Sequence, residues 1–255
     1  MRAIGIYLTL LVAALGVTAC DAKPNAPSPP KVIATQSTAL TLNARDGVTI
    51  FGTVTQAPNP KAIILLFHQA GSSQSEYATI APQLAAAGYT TLAIDQRSGG
   101  GDNRTVKARG RSSDYLSATA DLQAALDWAA DKGKPIILWG SSYSSSLIFL
   151  VGAQNQGKVA ALMAFSPGEY LGGGRVVKSA AAKISVPIFV TSAKDSGEIA
   201  AAAAILAASP SPTKVQFRPA IAGVHGSSTL IPARNAKGAQ ENWDAVKAFL
   251  NRVAP

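Results

Sequence analysis

Ser142 lies in Gly140-Ser141-Ser142-Tyr143-Ser144, directly after an apolar run ending at Trp139 and directly before a stretch of helical character. A small-x-Ser-x-small pattern at a strand-to-helix turn is close to the nucleophile elbow G-x-S-x-G. The turn forces the serine into a strained backbone conformation, so the residues two before and two after it must be small. Gly140 meets that condition, and Ser144 departs from the usual glycine by one hydroxymethyl group. The turn exposes the hydroxyl above a sheet. It also gathers backbone N–H groups at a helix start, where developing negative charge is stabilised. Taken alone, five such residues also fit a plain strand-to-helix connection.

Two more strand ends supply what a serine nucleophile needs, a base for its proton and a carboxylate to orient that base. Asp195 follows the apolar run 187–191 in Thr191-Ser192-Ala193-Lys194-Asp195, and His225 follows a later short strand in Ala222-Gly223-Val224-His225-Gly226. The chain holds two histidines, His68 and His225, which keeps the choice of base short. Each residue has a blander reading. Asp195 can be the N-cap of the helix after it, and His225 a loop residue beside glycine. The order Ser, Asp, His, with each residue after its own strand, favours the chemical reading.

The elements that would position these groups alternate between strands and helices. Runs 40–42 and 48–54 read as antiparallel strands joined at Asp46-Gly47, a turn dipeptide. Runs 62–67, 90–94, 135–139, 160–165 and 187–191 are short and apolar, as strands buried on both faces are, and 214–217 reads as a last strand. Ser73-Gln74-Ser75-Glu76 fits a capping box opening a helix that ends near Gly88. Helical periodicity spans 115–130, with Leu116, Leu122, Ala125, Leu126 and Ala129 on one face, and helices are also expected over 143–154, 197–208 and 242–253. This alternation predicts an α/β fold, a mostly parallel central sheet with helices on both faces. Ligands of such sheets bind beyond the carboxyl ends of the strands, where the three residues are expected.

Composition narrows the classes. Hydrophobic residues make up 47% of the 255 and charged residues 15%, which excludes an intrinsically disordered chain. One cysteine, Cys20, excludes an internal disulfide and, with two histidines, a Cys/His zinc site. No metal or organic cofactor is implied. The segment 1–19 has Arg2 followed by an apolar run over 4–19, about 24 Å as a helix and short of a hydrocarbon core of roughly 30 Å, and reads as a signal peptide. Its junction Val17-Thr18-Ala19-Cys20 resembles a bacterial lipobox, which implies lipidation of Cys20, a membrane partner through that lipid, and a cell-envelope location facing the periplasm. Asp21 favours the inner membrane under the same resemblance. Prolines 24, 27, 29 and 30 make residues 20–37 an extended tether, leaving 38–255 as the folded domain. The formal charge of +9 suits anionic head groups. Nucleic acid is disfavoured as a partner, because only Arg104, Lys107, Arg109 and Arg111 cluster, and a solvated loop accounts for them.

From about residue 40 onward the chain resembles the α/β-hydrolases of the dienelactone-hydrolase-like kind. The resemblance rests on Arg45-Asp46-Gly47-Val48, His68-Gln69-Ala70-Gly71, Gly88-Tyr89, Ile94-Asp95-Gln96-Arg97, the serine turn, and the acid and histidine after it. It implies an α/β-hydrolase fold and an oxyanion hole formed by the backbone N–H groups of Ala70 and Tyr143. Gln69 stands where glycine is common in that loop, and Gln69 and Arg97 are candidates for the substrate pocket. His68 reads as a structural holder of its loop. Ser142 replaces the cysteine nucleophile of dienelactone hydrolases, so their substrate does not carry over. About twenty residues separate 165 from 187, too few for a helical cap, which leaves an open site roofed by glycine-rich loops at 98–102 and 172–174. The expected function is hydrolysis of small carboxylic esters through Ser142, His225 and Asp195. The alternatives are an amide-cleaving relative and a catalytically silent envelope binding module.

Overall fold

The computed structural model describes residues 36–255; Cys20, the signal segment and the tether up to residue 35 lie outside the described residues. Eight strands form one sheet in the order β1-β2-β4-β3-β5-β6-β7-β8. β1 (Gln36–Asn43) pairs antiparallel with β2 (Thr49–Gln56), and β2 antiparallel with β4 (Tyr89–Ile94). From β4 through β3 (Ala62–Phe67), β5 (Ile136–Ser141), β6 (Ala161–Phe165), β7 (Ile188–Thr191) and β8 (Lys214–Gln216) every pairing is parallel. Gln36 and Ser37, read as the end of the tether, are the first residues of β1, where the Ser37 hydroxyl meets that of Thr55 at 3.1 Å.

The continuous apolar runs have a direct cause. Along β3, Ile63, Leu65 and Phe67 join one core, and Ala62, Ile64 and Leu66 join the core on the opposite face. Both faces are covered, so every position must be apolar. α3 (Thr119–Ala130), α4 (Tyr143–Gln154), α5 (Val176–Ala181) and α6 (Ser196–Ala208) pack on the first face, α1 (Ile80–Ala86) and α7 (Ala239–Val253) on the second. On the second face Trp139 stacks on Phe165 with ring centres 4.3 Å apart.

Several local expectations give way to tertiary contacts. The cationic stretch read as a loop contains α2 (Arg104–Arg109), capped by Asn103, whose side chain accepts from the Val106 N–H at 2.8 Å, and closed by Gly110 with φ of +70°. The helix expected from residue 115 starts with a 3-10 turn, Leu116–Ala118, which leaves Leu116 exposed and off the apolar face. α5 is too short for its periodicity to show in the sequence. It is the one helix in the segment between β6 and β7, which confirms the expectation of a connection too short for a cap.

The stretch after Ser73 begins as a 3-10 turn, Gln74–Tyr77, and α1 follows. Ser73 caps it by accepting from the Ser75 N–H, but Glu76 does not turn back to close a capping box. Its side chain points inward instead. The 98–102 loop is likewise packed and not a loose roof: the Gly100 N–H donates to Ser72 O at 2.9 Å, and a Cβ on Gly99 would lie 2.5 Å from that same carbonyl oxygen.

Candidate active site

Ser142 sits at the junction of β5 and α4 with φ of 57° and ψ of −124°, a left-handed backbone that a non-glycine residue adopts only under strong constraint. Its N–H extends the ladder to Phe165 O at 2.8 Å. A Cβ on Gly140 would lie 2.5 Å from Ser144 O, which explains the glycine two positions before the serine. Two positions after it, the Ser144 hydroxyl is absorbed by carbonyl acceptors, Phe67 O at 2.6 Å and Ser141 O at 2.9 Å. A hydroxymethyl group therefore fits where glycine is usual.

His225, in the loop after β8, reaches this serine: its Nε2 is 2.7 Å from Ser142 Oγ. Its Nδ1 is 2.8 Å from Glu198 Oε1. The expected acid, Asp195, is not the partner. It caps α6, accepting from the Glu198 N–H at 2.9 Å, which is the blander of its two sequence readings. Capping turns the Asp195 side chain onto its own helix. Glu198, at the third helical position, projects back toward the strand ends, where its other oxygen accepts from the Ala193 N–H at 3.0 Å.

The electrostatics of this pair are one-sided. Burial alone would raise the Glu198 carboxyl, but hydrogen bonds from His225, Ser166 and the Ala193 N–H overturn that and hold it at about 2. The Glu198 carboxylate in turn raises His225 above its usual value, against the lowering effect of burial. An ionised Glu198 takes the proton on Nδ1, which leaves the Nε2 lone pair to accept from the Ser142 hydroxyl. The histidine side chain is 41% exposed, so the relay opens to solvent.

Around the relay, the Gln69 N–H is committed to Glu76 Oε2 at 2.7 Å. Ala70 is an exposed residue, and among the described residues its N–H has no protein acceptor. Tyr143 opens α4 and has no intrahelical acceptor for its N–H. Its phenol is buried away from the site, bonded to Gln96 Nε2 at 2.8 Å and Ser98 Oγ at 2.6 Å. His68 is fully buried: Nε2 accepts from the Gln96 N–H at 3.0 Å, so Nδ1 carries the proton and donates to Gln69 O at 2.8 Å. Burial pushes it down to about 4, and it stays neutral as a holder of the 68–71 loop.

Arg97, a candidate for the substrate pocket, is not available to a ligand. Its side chain is 5% exposed and held by two carboxylates, with Nε 2.8 Å from Asp121 Oδ1 and Nη2 2.9 Å from Asp46 Oδ1. The cation's hydrogen bond holds surface Asp46 at about 2, whereas burial pushes Asp121 up to about 6 against the same cation. The other pocket candidate, Gln69, is half-buried beside the site, with its Oε1 3.2 Å from where a Gly226 Cβ would stand.

Sequence reasoning missed three residues. Glu198 could have been found from the Asp195-x-x-Glu198 spacing, which offers two acids at one strand end. Ser166, at the end of β6 with φ of 56°, accepts from the Gly226 N–H at 2.9 Å and steadies the histidine loop. Glu76 fits a capping box by sequence, but its carboxylate instead accepts from the Gln69 N–H and the Ser141 hydroxyl. Among the described residues no cluster of His, Cys, Asp and Glu could hold a metal ion.

Comparison with known proteins agrees with this architecture. The sequence model of the Hydrolase_4 family, described as serine aminopeptidase S33, matches residues 58–193, more than half of the chain. The chain belongs to this family of α/β-hydrolases. The matched part carries Ser142 and ends before Glu198 and His225. No curated protein matches the chain. Among solved structures, the dienelactone hydrolase of Anabaena variabilis is similar with a TM-score of 0.69 at 17% identity, over 87% of this chain and 99% of that one. An esterase of Pyrococcus furiosus has a TM-score of 0.67 at 17% identity, over 90% and 98% of the two chains. A thermostable carboxyl esterase of Bacillus coagulans has 0.67 at 11% identity, over 86% and 99%. At these identities the likeness establishes the α/β-hydrolase fold, in agreement with the sequence expectation.

Proposed function

We propose that this α/β-hydrolase cleaves small carboxylic esters through a Ser142–His225–Glu198 triad. The observation that carries the proposal is the unbroken line of contacts from Ser142 Oγ to His225 Nε2 at 2.7 Å and from His225 Nδ1 to Glu198 at 2.8 Å. Ser142 Oγ attacks the acyl carbon while its proton passes to His225, and Glu198 stabilises the imidazolium. The N–H groups of Ala70 and Tyr143 receive the oxyanion, each contributing roughly 10²–10³ in rate. The alcohol departs with the proton from His225. Water, deprotonated by the same imidazole, then attacks the acyl-enzyme and releases the carboxylate.

Amide cleavage is the second reading, favoured by the serine aminopeptidase description of the matching family. Against it stands the openness of the site among the described residues: α5 is the one helix between β6 and β7, and no inserted cap there encloses a peptide terminus. Alkyl esters and aminoacyl amides of matched acyl groups separate the readings. The expected result is turnover of short-chain esters with amides far slower; preferred hydrolysis of aminoacyl amides would reverse the assignment.

A further inference from the structure

Glu76 is a buried carboxyl that the proposed chemistry does not use, and it lies where three site-bearing loops meet. One oxygen accepts from the Gln69 N–H at 2.7 Å, in the loop that carries Ala70. The other accepts from the Ser141 hydroxyl at 2.6 Å, one residue before the nucleophile. Ser141 Oγ in turn accepts from the Ser227 N–H at 2.8 Å, two residues after the base. The Trp139 indole N–H donates to Ser227 Oγ at 2.9 Å and fixes the far end of this chain of bonds. Space at the junction is fully used. A Cβ on Gly226 would lie 2.5 Å from Ser141 Oγ, and the glycine takes a φ of +68° there.

We propose that the Glu76 carboxylate is the positioning residue of the oxyanion hole. By drawing the Gln69 N–H inward it leaves the next N–H, that of Ala70, directed to the substrate, and through Ser141 and Ser227 it sets the serine and histidine loops against the same anchor. This inference rests on the hydrolase reading above. Both carboxylate oxygens must accept. A proton on Oε2 would face the Gln69 N–H. A proton on Oε1 would turn the Ser141 hydroxyl around and leave its hydrogen without a partner.

Among the described residues no lysine or arginine forms an ion pair with Glu76. The titratable groups that face it are His225, Tyr77 and Tyr143. Burial pushes its carboxyl up to about 7, although the Ser141 and Gln69 hydrogen bonds and the nearby His225 pull it down. Its folded-state value therefore lies above its unfolded one. The sign of the linkage follows: the folded state binds the extra proton between those values, so Glu76 weakens the fold as pH rises through them. An ionised carboxyl held in place at this cost to stability is what a positioning role requires.

The test compares wild type with Glu76→Gln and Glu76→Asp. Glu76→Gln is expected to lose about 10- to 100-fold in kcat at pH 8 with little change in KM, less than deletion of an oxyanion donor outright. In wild type, Glu76 must be ionised and His225 neutral, so the acid limb of kcat/KM approaches a slope of two. Glu76→Gln reduces that slope to one, and Glu76→Asp restores it. The melting temperature of wild type falls more steeply between pH 5 and 7 than that of Glu76→Gln. Wild-type kcat and an unchanged limb in Glu76→Gln would overturn the proposal.

A second measurement does not depend on activity, and its wild-type readout does not depend on the variant's folding. The Gln69 amide resonance of wild type, and of Ser142→Ala, should shift as the Glu76 carboxyl ionises and lose that shift in Glu76→Gln; a resonance that stays flat from acid to alkaline pH contradicts the proposal. A wild type without hydrolase activity would instead reject the triad reading, while the Gln69 titration still judges the hold of Glu76 on the loop.

Discussion

Glu198→Gln should lower kcat/KM by about 10⁴-fold, close to 5.5 kcal/mol of transition-state stabilisation, while Asp195→Asn stays within a few-fold of wild type. The large effect comes from the tautomer. The glutamine amide offers a donor to His225 Nδ1, which moves the imidazole proton to Nε2, the nitrogen 2.7 Å from Ser142 Oγ. A protonated Nε2 cannot accept from the hydroxyl. The imidazolium formed during attack also loses the carboxylate now 2.8 Å away. Asp195→Asn keeps a side-chain oxygen for the Glu198 N–H, and asparagine caps helices as well as aspartate does. Steady-state kinetics on one ester substrate checks both. The reverse ranking would restore Asp195 as the acid.

The second large effect falls on stability. Arg97→Ala should destabilise the fold by about 3–5 kcal/mol, because it strands a fully buried Asp121 without its cation. Only the Arg97 backbone N–H, 2.7 Å from Asp121 Oδ2, would remain to that carboxylate. Arg97→Lys should recover little, since an ammonium cannot reproduce the forked contacts to Asp46 and Asp121. Asp121 escapes the penalty by taking up a proton, so the deficit shrinks as pH falls. Urea unfolding at two pH values measures this. An unchanged midpoint with a raised KM would instead return Arg97 to the substrate pocket.

What was legible in the sequence depended on how local its cause is. The strands on either side of Ser142 and the long helices follow from burial on both sheet faces, which forces apolar runs such as Ile136-Ile137-Leu138-Trp139. Gly140 and Ser142 were legible because the elbow's steric demand acts within five residues. Asp195 and Glu198 were not separable this way. Both are acids after β7, and the choice depends on which one the first turn of α6 uses as its own cap. Arg97 and Glu76 are hidden for a related reason: a charged side chain at a loop or helix start reads locally as a pocket candidate or a capping-box residue, and only the packed fold reveals Asp121 beside one and Gln69 and Ser141 around the other. Short α2 and α5 carry too few turns for periodicity to register.

The central claim is that the Ser142 hydroxyl is a nucleophile activated by His225. Covalent labelling with a fluorophosphonate, followed by peptide mapping, tests it most directly. The account predicts one adduct, on the peptide carrying Ser142, abolished in Ser142→Ala and strongly slowed in His225→Ala. Equal labelling of wild type and Ser142→Ala, or an adduct mapped to another serine, would contradict it.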